Sequence, residues 1–261
     1  MDARESEMNH GLTAEQVDLF NEQGYWVAGK LLKDDHIQVL RLEYDRVFRV
    51  AREQGNYRNL SINDTCDPNK KRNARSQMLQ ITQMCERSIE FRKLLYDEVI
   101  LNVVESLLGP NIQLFHDQAL YKPPRQGGPV FWHQDNGYWK CLPATLVSCW
   151  LTLDDVDCTN GAMHLAPGTH RRLIPHDESN KTNALLDLGN KIDKKQTKVV
   201  DLPAGGAMFH HCQTAHYPPP NLSDRPRRAF AIHYMTPGTK RSHSGEYIGV
   251  SFSHPMLRMK I

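Results

Sequence analysis

The 261-residue chain contains no apolar run near the ~20 residues that a membrane-spanning helix needs, so no membrane partner is expected. It also lacks net charge. Its 32 Lys and Arg against 30 Asp and Glu leave a formal +2, which gives no electrostatic case for a nucleic-acid partner. Local basic clusters, Lys70–Lys71–Arg72 and Arg171–Arg172, read as solvated surface. The six cysteines, at 66, 85, 141, 149, 158 and 212, form no C-x-x-C pair. Scattered cysteines in a 30 kDa chain fit free thiols in a reducing compartment. Repeats and low-complexity segments are absent. The opening "MDARESEMNH" is polar and mixed in charge rather than a signal sequence, and the closing "RMKI" is not the peroxisomal S-K-L address. A cytoplasmic location is therefore expected. Hydrophobic content of 39% and charged content of 24% exclude a disordered chain. The length suits one all-β barrel or sandwich, so a single domain over residues 1–261 is expected.

What is present falls into two textures. Residues 1 to about 110 read as mainly helical. Thr13 with Gln16 has the capping-box spacing, and Gly24 is placed to close the first helix. "YWVAGK" reads as a short strand, and Asp34 or Asp35 then caps a second helix with apolar residues every three to four positions. Residues 54 to 78 are polar and aperiodic, which predicts a long loop or lid. "FRKLLYDEVILNVVESLLG" reads as one helix ending at Gly109. From Asn111 to about residue 240 come seven or eight short strands punctuated by Gly and Pro, with Asn160–Gly161 as a hairpin-type turn. Helices followed by an antiparallel core predict a mainly β sandwich or barrel.

One stretch carries chemistry. "PVFWHQDNGYW" (129–139) begins with strand-forming residues and contains His133 and Asp135 two apart. On a strand, such residues share a face. With 13 His and 18 Asp, roughly one His-x-Asp arises by chance, so the pair needs a third ligand and a context. A 2-His-1-carboxylate iron site requires one more histidine. His210, His211, His216 and His233 all qualify by type, and spacing does not choose among them. His216 stands where three prolines must end a strand. Arg227 opens the strand "RRAFAIHY", and a guanidinium there suits a small dicarboxylate or a surface acid such as Asp224.

The order "WHQD", "NGAMHLAPGTH", then "GGAMFHHCQTAHYPPPN.SDRPRRAFAIHY" resembles the phytanoyl-CoA dioxygenase family over nearly the whole chain, including "LTAEQVDLFNEQGYWVAGKLL". The resemblance implies a double-stranded β-helix (a jelly roll, cupin-like) with flanking N-terminal helices. It implies Fe(II), 2-oxoglutarate and dioxygen as cofactor and cosubstrates, with ascorbate useful in assays, and a small-molecule substrate. His133, Asp135 and His216 match the family's iron ligands. Arg227 matches the arginine on the far carboxylate of 2-oxoglutarate, and Trp150 a tryptophan lining the cosubstrate pocket. Gln118 and Gln80 fall near further cosubstrate contacts. Asn136, Tyr138 and Trp139, just past the ligands, are candidates for the substrate mouth. The chain departs from the family after the distal histidine, where Tyr217–Pro218 replaces a Gly-Ser pair, so the serine's hydrogen bond to 2-oxoglutarate is absent or replaced. Similar iron halogenases carry Gly or Ala in place of the carboxylate. Asp135 therefore implies hydroxylation of an unactivated C–H bond, with release of succinate and carbon dioxide.

Two rivals remain at this level. One is a zinc site built from His210, Cys212 and His216, although no paired C-x-x-C partner exists. The other is a non-catalytic jelly-roll metal-binding module. His116 and His164 read as satisfied strand histidines, and the cysteines as small core hydrophobes.

Overall fold

The computed structural model describes residues 11–60, 76–177 and 186–260. Much of the segment expected to be a lid, at 61–75, lies outside the described residues, as do the opening decapeptide and the cluster at 70–72. The described flanks of that segment are partly ordered into sheet, because Arg58–Asn59 (β2) pairs with Leu79–Thr82 (β3).

The first helix, α1 (Ala14–Gln23), starts at the Thr13–Gln16 capping box and ends at Gly24, whose φ of 82° is the left-handed conformation that favours glycine. The strand β1 (Tyr25–Lys30) leads into α2 (Asp34–Gln54). The cap of α2 is Lys33, not Asp34 or Asp35. Those two acids sit in the first turn, where the positive end of the helix favours them, and Asp34 pairs with Lys30 at 2.5 Å. Ile37, Leu40, Tyr44, Val47, Phe48 and Ala51 form the buried stripe of α2. The stretch expected to be one helix is two, α3 (Ile89–Leu94) and α4 (Glu98–Leu108). Asp97 accepts from the Ile100 N–H and starts the second, a cap signal that continuous apolar periodicity concealed.

The main sheet has eight strands in the order β1-β9-β6-β11-β4-β3-β2, with β13 (Met256–Arg258) also on β4. Its central members are β3 (Leu79–Thr82), β4 (Ile112–Lys122), β6 (Val147–Thr152), β9 (Gly206–His211) and β11 (Arg227–Met235). A smaller sheet runs β10 (Ala215–Tyr217), β7 (Met163–Ala166), β8 (Lys198–Val200). A two-stranded pair joins β5 (Cys141–Leu142) to β12 (Lys240–Arg241). The large and small antiparallel sheets, packed over a shared apolar layer, make a double-stranded β-helix of the jelly-roll, cupin-like kind.

Strand periodicity separates the two faces of the main sheet. Val147, Cys149, Leu151, Phe209, Phe230, Ile232 and Tyr234 join the helices in one apolar cluster. The alternate residues Trp150, Met208, Ala229 and Ala231 pack instead with Met163, Leu165, Val200 and Leu202, in the space between the sheets. Sequence that is apolar on both faces of a strand is what such a covered sheet requires. Arg227, His233, Ser148 and His210 occupy that second face of the same strands, so the polar groups of the site are placed by a two-residue period.

Two expectations fail locally. Asn160–Gly161 makes a turn but no hairpin, since β6 pairs with β9 and β11 while β7 pairs with β8 and β10. Asn160 is fully buried, donates to the Asp155 carbonyl and accepts from the Asp157 N–H. The second failure is more instructive. Residues 129–135 are not a strand, and Asp135 is the first residue of a short helix, α5 (Asp135–Trp139).

Candidate metal centre and active-site cavity

His133 and Asp135 still converge, by a different device from a shared strand face. His133 forms a two-bond bridge with His216, N–H to carbonyl at 3.1 Å and 2.9 Å, which fastens the approach segment to the middle of β10. The chain then turns into α5, and the turn swings the Asp135 carboxylate toward both rings. Asp135 Oδ1 lies 3.8 Å from His133 Nε2 and 3.8 Å from His216 Nε2. These three are the one cluster of metal-ligating side chains found among the described residues, with candidate ligand atoms within 4.8 Å of one another.

The imidazoles are oriented from behind. His133 Nδ1 donates to the Phe131 carbonyl at 2.7 Å, and His216 Nδ1 to the Thr214 carbonyl at 3.0 Å. That assignment leaves both Nε2 lone pairs aimed at a carboxylate oxygen, an arrangement that repels unless a cation sits between them. Burial pushes His133 down to about 3 and His216 down to about 4, so both rings are neutral donors. Burial also pushes Asp135 up to about 6, which still leaves the carboxylate ionised at neutral pH and ready for a cation. Two neutral nitrogens and one oxygen on one side of an ion fit the 2-His-1-carboxylate pattern of non-haem iron.

A residue that sequence reading missed supports this approach segment. Gln134 is fully buried and donates to the carbonyls of Thr169, Arg172 and Gln213, while its Oε1 accepts from the Ile174 N–H. Its backbone N–H donates to His176 Nε2 at 3.0 Å. One side chain thus ties the His133–Asp135 segment to two loops. Its signal in the sequence was only its position between the two ligands.

The triad opens on a cavity of about 440 Å³. The same cavity is lined by Arg227, Trp150, Gln118, Gln80, Tyr138 and Trp139, so the topology gathers six further predicted site residues with the triad. Arg227 is fully buried, yet its Nε and Nη1 have no partner, and Nη2 reaches only the Met78 sulfur at 3.5 Å. Asp224 is taken by Arg125, and Asp45 and Asp154 by Arg228, so no surface acid serves Arg227. Its charge centre lies 5.6 Å from the Trp150 ring. Burial pushes its pKa down to about 10, which leaves it a cation at neutral pH. A buried, unpartnered guanidinium at a cavity wall is a socket for an anion.

Asn136 does not face the cavity. Its amide is held by Cys141, accepting from the N–H at 2.8 Å and donating to the carbonyl at 3.3 Å, and so shapes α5. Tyr138 takes the Leu186 N–H on its hydroxyl at 2.7 Å, and Trp139 stands edge-on to His233 with centroids 4.7 Å apart. Gln80 donates to Gln118. Pro218 lines the cavity, and its carbonyl accepts from the buried Lys122 ammonium at 2.7 Å. His210, His116 and His233 line the cavity without joining the triad, and His211 faces the other way. Cys212 packs with Phe115, Leu146 and Met235 and belongs to no metal cluster among the described residues. His164 pairs opposite Tyr217 on β10, away from the triad.

Fold and site together define a class, the jelly-roll oxygenases that hold non-haem iron on two histidines and a carboxylate. Comparison with known proteins specifies it further. The family model described as phytanoyl-CoA dioxygenase (PhyH) matches residues 20–229, and the chain belongs to that family. It is similar to the peroxisomal phytanoyl-CoA dioxygenase of Mus musculus, 30% identical over 236 residues that cover 87% of this chain and 69% of the relative. It is also similar to the ectoine dioxygenase of Halomonas elongata, 27% identical with 85% and 70% covered. Among solved structures, the non-haem α-ketoglutarate-dependent carbocyclase SnoK of nogalamycin biosynthesis superposes with a TM-score of 0.76 at 20% identity, covering 95% of this chain and 98% of that one. The chain is thus an Fe(II)- and 2-oxoglutarate-dependent dioxygenase that uses dioxygen. No helix among the described residues is long and apolar enough to cross a membrane.

Proposed function

We propose that this dioxygenase hydroxylates an unactivated C–H bond of a small molecule or an acyl thioester, releasing succinate and carbon dioxide. The observation that carries the reading is the union, in one cavity, of the His133–Asp135–His216 triad with the unpartnered Arg227 guanidinium. When bound, ferrous iron with 2-oxoglutarate and dioxygen supplies the oxidising power. The chain's residues supply the rest. His133, Asp135 and His216 hold the ion through neutral nitrogens and one carboxylate, leaving about three positions for ligands. Arg227 offers its fork to the far carboxylate of 2-oxoglutarate, and Trp150 forms the wall beside it. Gln80 and Gln118 are the neighbouring polar groups for the cosubstrate. Tyr138 and Trp139 line the way in for the substrate, while Asn136 acts on the shape of α5.

Asp135 favours hydroxylation over halogenation, because a carboxylate occupies the position that a halide needs. The relatives named for phytanoyl-CoA and for ectoine support a small-molecule or acyl thioester substrate, and they differ too widely to choose between the two. The same reading takes the chain as one cytoplasmic domain acting without nucleic acid or membrane, on its near-neutral net charge and mixed polar sequence.

The test has two stages. Anaerobic titration of the protein with Fe(II) and 2-oxoglutarate is expected to produce the weak visible charge-transfer band of the chelate. Folded protein that gives no band refutes the site. A substrate panel with Fe(II), 2-oxoglutarate and ascorbate is then scored by succinate and by a product mass gain of one oxygen. Band without any coupled product would favour the non-catalytic module instead.

A further inference from the structure

Behind the metal triad, a row of four side chains crosses four adjacent strands, β3, β4, β11 and β6. Gln80 bonds Gln118, Gln118 Nε2 lies 2.9 Å from His233 Nε2, and His233 Nδ1 lies 2.7 Å from Ser148 Oγ. Ser148 Oγ lies 3.4 Å from Asp135 Oδ2. The other oxygen of that carboxylate, Oδ1, is the one that faces both histidine Nε2 atoms.

Only one direction of donation satisfies the row. An ionised carboxylate accepts and never donates, so the single Ser148 proton goes to Asp135. Ser148 Oγ must then accept from His233 Nδ1–H. His233 is fully enclosed, and burial keeps its pKa well below the usual histidine value, so it carries only that one N–H. Its Nε2 is therefore an acceptor, and Gln118 must turn its NH₂ toward it. That leaves Gln118 Oε1 to accept from Gln80. The His233 ring has little freedom to leave the row. It stacks on His116 at 5.6 Å and 12°, and Trp139 stands edge-on to it. His233 and Ser148 are also direct cross-strand partners, so the sheet register fixes their meeting.

We propose that Ser148 and His233 are positioning residues for the metal centre: their one-way hydrogen-bonded row holds Asp135 Oδ2 back, so that Oδ1 alone is presented to the ion. This rests on the iron site described under Proposed function. Outer groups that orient a ligating carboxylate typically change metal affinity about 10–100-fold when removed. A row anchored in four strands also returns the carboxylate to the same orientation when the ion is absent.

The experiment uses the metal-free full chain first and Co(II) as the probe second. Long-range ¹H–¹⁵N spectra of histidine-labelled wild type report the His233 tautomer, with assignment from the signal lost in His233→Asn. A protonated Nδ1 and a bare Nε2 are expected. Ser148→Ala is then expected to move His233 toward the other tautomer, to lower Co(II) affinity about 10–100-fold, and to change the visible Co(II) spectrum. Ser148→Thr keeps the hydroxyl and is expected to restore most of both. A wild-type His233 protonated at Nε2 overturns the proposal, as does a Ser148→Ala chain that binds Co(II) as tightly as wild type with an unchanged spectrum. Wild type that binds no Co(II) overturns the metal site itself, and the positioning role with it. The tautomer is read on metal-free wild type, with the variant used only for assignment, and so separates the two failures.

Discussion

Arg227→Lys is expected to strip 2-oxoglutarate of most of its stabilising effect while leaving iron binding nearly intact. Arg227 is fully buried, and its Nε and Nη1 have no protein partner. Nη2 carries two N–H groups and meets only the Met78 sulfur, so a carboxylate can take a parallel pair from Nη2 with either Nε or Nη1. Lysine keeps the charge and loses the fork. Losing one charge-assisted hydrogen bond costs about 1.5–3 kcal/mol, which is about 10–150-fold in affinity. At a cosubstrate concentration 100 times the wild-type Kd, binding stabilises the fold by about 2.7 kcal/mol. A 50-fold weaker variant at the same concentration retains only about 0.6 kcal/mol by the same relation. For a chain of this size each kcal/mol moves Tm by about 2–4 °C. The cosubstrate-induced shift should thus fall from about 5–11 °C to about 1–3 °C.

The assay is anaerobic thermal unfolding with Fe(II), with and without 2-oxoglutarate. A second variant gives the opposite sign. Burial lowers Arg227 from its ordinary 12.5 to about 10, a cost of about 3 kcal/mol for carrying the charge without a counter-ion. Arg227→Met removes that cost, so the variant without cosubstrate should melt several degrees above wild type and show no 2-oxoglutarate shift. An unchanged cosubstrate shift in Arg227→Lys, or a less stable Arg227→Met, would refute the socket argument.

Asp135→Gly should abolish hydroxylation without producing a chlorinase, since the position freed for chloride does not by itself place a substrate C–H bond beside it; mass spectrometry at high chloride reads both products, and wild-type-like hydroxylation would remove Asp135 from the ligand set. Gln134→Leu leaves three part-buried carbonyls and one N–H without their partner, and should cost about 3 kcal/mol in urea unfolding while weakening metal binding. The apo protein should also be acid-labile. Burial, with a smaller push from His254, lowers His116 to about 4, so the unfolded chain binds the extra proton between about pH 4 and 6.5. Stability should therefore rise with pH across that window by up to about 1.4 kcal/mol per unit for this ring and be flat above it. His133 and His216 add to the same slope, so His116→Gln should reduce it by one ring's share in urea titrations at several pH values, and an unchanged slope would show that His116 is not a source.

The fold was legible in its textures. Capping signals at Thr13 and Gly24 stood in the sequence and in the structure, because both act within one turn of helix. Asp97 was equally local, but an unbroken apolar run on either side hid the break. The strands from Ile112 to Met235 were visible because each is short and punctuated, whereas their pairing was not, since β6 finds its partners about 60 and 80 residues downstream. The strand argument paired His133 with Asp135, and the structure does bring them together, but by another route. A bridge to His216 and a helix turn bring them together, and neither is coded by a two-residue period. What the period does code is the cavity wall. Ser148 and Trp150 share a face of β6, and Arg227 and His233 share a face of β11. Ser148 and Gln134 escaped notice because their importance lies in what they touch, and those partners come from other strands and loops.

The proline at position 218 sharpens the role given to Arg227. The family resemblance implies a serine hydroxyl there as a second donor to the cosubstrate carboxylate. Pro218 has neither hydroxyl nor N–H to give, and its carbonyl is already committed to Lys122. Lys122 pairs opposite Arg227 across β4 and β11, and burial with the neighbouring Arg227 charge holds its pKa well below the ordinary lysine value. The ammonium is therefore engaged in fastening the 218–219 backbone rather than reaching into the cavity. With that hydroxyl gone, the unpartnered Nε and Nη1 of Arg227 are the strongest donors left at this end of the cavity. On the resemblance, one donor stands here in place of two, and Arg227 then carries more of the cosubstrate's carboxylate. Restoring a hydroxyl by Pro218→Ser should accordingly tighten 2-oxoglutarate binding and blunt the penalty of Arg227→Lys, and the two substitutions should be non-additive in a double-mutant cycle. Strict additivity would mean that the two positions address different groups.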